Sequence, residues 1–84
     1  MFERTTVVAK FVGSNVNRGF VDVVQLFFKV PSCKSIKMVQ CIGENNPYRK
    51  NFEEGLLFIQ SHNIGDKVEL IKVGKGKYAG YELV

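Results

Sequence analysis

Apolar and polar residues alternate along most of this chain, and the alternation breaks once. From Asn51 to His62 the apolar residues Phe52, Leu56 and Ile59 recur at i, i+4 and i+7, with Leu57 widening the stripe. That spacing predicts a helix. Asn51 suits its N-cap, and Glu54 completes something close to a capping box. Glu53 and Glu54 set negative charge in the first turn, where the helix dipole favours it. Asn63 and Gly65 supply the stop.

Everything around that helix has the period of a strand. Thr5 to Val12 predicts the first strand, with Val7, Ala9 and Phe11 on one face and Thr6, Val8, Lys10 and Val12 on the other. The polar run Gly13 to Gly19 reads as a loop. Phe20 to Val30 predicts a long second strand. Its even positions Val24, Leu26, Phe28 and Val30 belong to the core, and Gln25, Phe27 and Lys29 point outward. Both of its faces are rather apolar, as expected of a strand curling between two halves of a barrel. Pro31 stops the ladder because it has no N–H to donate. Ser35 to Ile42 predicts the third strand, with its facing open between Ile36, Met38, Gln40 and Ile42 and the alternates Lys37, Val39 and Cys41. Gly43 to Lys50 is a polar loop into the helix. Lys67 to Val73 and Tyr78 to Val84 are the last two strands, joined by the glycine-bearing loop Gly74 to Lys77. The expected core is Phe11, Val24, Leu26, Phe28, Leu56, Ile59, Val68 and Leu70.

The resulting order is β-β-β-α-β-β, one domain over residues 1–84. It is mainly β and is the order of the OB-fold, a five-stranded Greek-key barrel with a helix between strands three and four. An SH3-like barrel is the rival fold, since Gly65-Asp-Lys-Val with later glycines also suits it. Such a barrel usually lacks a twelve-residue helix in this position. The chain resembles small OB-fold single-strand-binding proteins in Ile64-Gly-Asp-Lys-Val-Glu-Leu70 after the helix and in the tyrosine-bearing Gly76-Lys-Tyr-Ala-Gly-Tyr-Glu-Leu83. The resemblance implies binding of single-stranded nucleic acid, with DNA favoured over RNA as the ligand.

Composition narrows the function classes. At 45% hydrophobic and 24% charged, the chain is an ordinary folding sequence. A net charge of +4 favours a polyanionic partner. The N-terminus lacks an apolar signal core and no apolar run approaches a membrane span, so a cytoplasmic protein with no membrane partner is expected. Cys33 and Cys41 are then two reduced thiols. With His62 the single histidine, a Cys2His2 metal site is excluded. The carboxylates form no spaced pair, no serine lies in a nucleophile elbow, and Gly74-Lys-Gly-Lys77 lacks the spacing of a phosphate loop. Neither an enzyme nor a cofactor is expected.

An OB-fold binds ligand on strands two and three and on the loops between strands one and two and between strands four and five. On this chain those places hold Arg18, then Phe27 and Lys29, then Lys37, and then Lys72, Lys75, Lys77 and Tyr78. Tyr48, Arg49 and Lys50 add an aromatic-basic triplet before the helix. Single-strand binders need cations along the phosphates and rings on which bases stack. Each residue has a plainer reading too: Phe27 as core, the hairpin lysines as charges keeping an edge soluble, the triplet as a solvated helix entry. The expectation is a non-catalytic single-strand-binding protein, a phage or plasmid replication accessory with a protein partner in replication. A dimer or higher oligomer would link several grooves. The alternative is a small protein-interaction module that docks through a strand edge or apolar patch.

Overall fold

A computed structural model of the chain describes residues 3–19, 21–43, 50–75 and 79–84. The elements follow the expected order: β1 (Arg4–Asn17), β2 (Val23–Lys29), β3 (Lys37–Ile42), α1 (Phe52–Ser61), β4 (Lys67–Val73) and β5 (Gly80–Leu83). All laddered pairs are antiparallel, and the sheet order is β3-β2-β1-β4-β5. β5 comes back beside β3, so the sheet curls into a nearly closed barrel, an arrangement consistent with an OB-like fold.

The strand that bends between the two halves is β1, not β2. Its first part pairs with β4 and its second part with β2, and Lys10 pairs with both. The bend is a bulge: Phe11 faces Phe28 and Gly13 faces Phe27, leaving Val12 as the extra residue. The polar run expected as a loop is therefore mostly strand. Asn15 and Asn17 are polar because they sit on the outer face of β1, opposite Gln25 and Val23.

The core is Ala9, Phe11, Val24, Leu26, Phe28, Val30, Val39, Cys41, Phe52, Leu70 and Tyr81. This settles the facing of β3, with Val39 and Cys41 inward and Met38 and Gln40 outward.

The helix is capped as expected, with Asn51 Oδ1 accepting from the Glu54 N–H at 3.0 Å. Its buried line differs from the expected one. Phe52 and Gly55 are buried, while Leu56, Phe58 and Ile59 are half-buried. Leu57 is 61% exposed and adds nothing to the stripe. Val68 is likewise only half-buried. The rotation follows from Gly55, whose missing side chain lets the helix press its backbone against Val24 and Cys41. Phe58 then joins Phe11 and Phe28 in a three-ring cluster, with centroids 5.1, 5.6 and 5.8 Å apart.

Side chains finish the helix. Ser61 Oγ donates to the Leu57 carbonyl at 2.8 Å, and His62 Nδ1 lies 3.0 Å from the Phe58 carbonyl. Gly65 serves a later turn, where its φ of +100° suits glycine. There Asp66 N–H donates to the Asn63 carbonyl and Asp66 Oδ2 accepts from Asn63 N–H. The turn docks on the β1 bulge. Gly65 N–H donates to the Phe11 carbonyl at 2.7 Å, and Phe11 N–H donates to the Asp66 carbonyl at 2.8 Å.

Candidate nucleic-acid interface

Strand pairing arranges the outward face of β1, β2 and β3 in rows. Phe27 lies between Gly13 and Met38. A Cβ on Gly13 would be 4.0 Å from Phe27 Cδ2, so the ring lies beside bare backbone on that side. One row along, Asn15, Gln25 and Gln40 stand side by side, and Asn15 Nδ2 donates to Gln25 Oε1 at 3.1 Å. On the other side of Phe27 the outward residue of β2 is Lys29, exposed and opposite Lys10. The face thus carries one half-buried aromatic ring, a thioether, a row of amides and exposed ammonium groups. Rings offer stacking surfaces, amides can pair with base edges, and ammonium groups attract phosphate.

The structure brings together only part of the expected set. Phe27 and Lys29 share the outward face. Lys37 pairs with Phe28 and Lys72 with Tyr81, so both lie on the core-facing side of their strands, half-buried at one mouth of the barrel. They are not part of the face that holds Phe27. Lys75 Nζ lies 3.1 Å from Glu3 Oε1, and Lys50 Nζ 3.4 Å from Glu54 Oε2. Arg18 sits over the Phe52 ring, 5.1 Å from its centroid, at the start of the helix. Tyr48, Arg49, Lys77 and Tyr78 lie outside the described residues.

Sequence reasoning missed Lys10, Met38 and Gln40 as companions of Phe27. Their alternation assigns an outward face, but which residues stand side by side depends on pairing register. The bulge at Val12 shifts that register by one.

The barrel mouth near Lys37 and Lys72 has chemistry of its own. Cys33 Sγ lies 3.4 Å from Tyr81 Oη. The hydrogen bond from Tyr81 holds the Cys33 thiol below its ordinary value, and Lys37 and Lys72 add to that. Burial, with the neighbouring thiol, pushes Tyr81 up to about 12. Cys41 is pushed to about 11 by burial under the helix. Both thiols are free. Among the described residues no group of three or more His, Cys, Asp or Glu side chains could hold a metal ion.

A groove of about 490 Å³ separates α1 from β4 and β5, with Phe58, Leu83 and Val84 among its lining residues. Two lysines, Lys50 and Lys67, and two glutamates, Glu54 and Glu69, are among its lining, so their charges sum to zero. It is therefore a poorer anion site than the face around Phe27. No helix among the described residues is long and apolar enough to cross a membrane. The chain matches no family model, no curated protein and no solved structure.

Proposed function

We propose that this protein binds single-stranded nucleic acid, without catalysis, on the outward face of β1, β2 and β3. The observation that carries the reading is the position of Phe27. Its ring lies on the barrel surface beside side-chain-free Gly13, with exposed Lys29 on one side along the strand and the amide row on the other. A base stacked on such a ring gains about 1–3 kcal/mol, and neighbouring ammonium groups neutralise its phosphates. The amides suit base edges that a single strand exposes and a duplex hides. One barrel covers few nucleotides, so self-association would raise affinity for a longer strand.

The alternative is a protein-docking role, favoured by Ile36 and Met38, which are 51% and 44% exposed on the β3 side. Titration of a fluorescently labelled single-stranded oligonucleotide at two salt concentrations decides between them. Binding that weakens steeply with salt supports the nucleic-acid reading. Absence of binding at low salt defeats it and leaves the docking role.

A further inference from the structure

Lys10 sits where β1 passes from one partner strand to the other. It stands directly opposite Lys29 of β2 and directly opposite Lys67 of β4. Three lysines therefore form one row across three adjacent strands, and all three side chains are exposed. Among the described residues none of them makes an ion pair. The next outward residue of β4, Glu69, stands opposite Val8, one row away.

Like charges directly opposite each other destabilise a sheet. None of the three side chains is part of the core, so no packing role accounts for the row. Two interstrand steps separate Lys29 from Lys67, about 10 Å. That is further than one phosphate group reaches, so the matching ligand carries several phosphates in a chain. The row also begins at Lys29, two residues along β2 from Phe27 and on the same face.

We propose that Lys29, Lys10 and Lys67 form a phosphate track. A single strand stacked on Phe27 then continues across β2, β1 and β4 toward the end of α1. It runs away from the β4–β5 hairpin, where Glu3 already pairs with Lys75. The track rests on the single-strand reading above, and it names Lys10 and Lys67 as contacts and fixes the direction of the path.

The test uses the full chain with Lys10→Gln, Lys67→Gln, their double variant and Phe27→Ala. A labelled oligothymidylate is titrated over a salt series, and each protein is melted at low and high salt. Each lysine variant is expected to lower the log-log salt slope by about 0.7, and the double variant by about 1.4. Lys10→Gln is also expected to melt above the parent at low salt, with the gain shrinking as salt screens the repulsion. If Phe27→Ala weakens binding while the lysine variants keep the parent slope, the track is wrong and the single-strand reading stands. If the folded parent does not bind the oligonucleotide at all, both fall. A Lys10→Gln protein that melts below the parent at low salt also overturns the track, because the fold then holds Lys10 for its own stability.

Discussion

Gly55 of the helix lies so close to Cys41 of β3 that a Cβ on the glycine would sit 2.8 Å from the cysteine Cβ, and 2.9 Å from that of Val24. Both are atoms next to the backbone and cannot swing aside. Gly55→Ala removes a flexible glycine from a helix, which alone would gain about 1 kcal/mol. Overpacking of a core costs about 1–3 kcal/mol. Since relief requires the whole helix to move, we expect a net loss of stability in a denaturant melt. A more stable variant would show that the helix rides further from the sheet.

The three-ring cluster ties α1 to the two strands beneath it. Phe11 and Phe58 meet edge to face, with centroids 5.1 Å apart and an interplanar angle of 89°. Such pairs are worth about 0.5–1.5 kcal/mol beyond the area they bury. A double-mutant cycle with Phe11→Leu and Phe58→Leu should return a coupling in that range. Additive effects would mean that the rings pack merely as bulk.

The two thiols should differ in reactivity. Cys33 is held below its ordinary value, first by the hydrogen bond with Tyr81, so it should alkylate faster than an ordinary exposed thiol at the same pH. Tyr81→Phe removes that bond and should move the pH midpoint of Cys33 alkylation upward. Cys41 is fully buried and titrates near 11, so it should stay unlabelled in the folded protein. The unfolded chain loses the same proton near 8.5. Between those values the unfolded state binds fewer protons, so stability should fall as pH rises. Cys41→Ala should flatten that alkaline decline. An alkylation midpoint for Cys33 that ignores Tyr81→Phe would rule out the hydrogen bond as its cause.

Much of the fold was legible because two periods coexist in the chain. The helix at Phe52–Ser61 and the inward residues of β2 follow from spacing alone. What spacing could not show is close approach. Gly55 looks like a weak point in a helix until the sheet is placed beneath it, and it is the reason that Leu57 turns outward. The candidate site was less legible for a similar reason. Lys10 alternates in sequence as an ordinary outward residue, and its neighbours Lys29 and Lys67 are remote along the chain. Lys37 and Lys72 look like members of a basic face, yet register turns both toward the Tyr81 side.

The face and the hairpin can be separated by one comparison. Phe27→Ala should weaken oligonucleotide binding by about 1–3 kcal/mol and leave the salt slope nearly unchanged, because a stacked base releases no counterions. Lys29→Ala should lower the slope by about 0.7, the value for one phosphate contact with a single strand. Lys75→Ala should change the slope less than Lys29→Ala does, because Lys75 Nζ is 3.1 Å from a Glu3 carboxylate oxygen whereas Lys29 makes no ion pair among the described residues. Glu3→Gln frees Lys75 and supplies the control. If the hairpin is a bystander, freeing Lys75 should leave the slope near that of the parent. A slope that rises with Glu3→Gln and falls with Lys75→Ala, while Phe27→Ala binds like the parent, would move the interface from the barrel face to the hairpin.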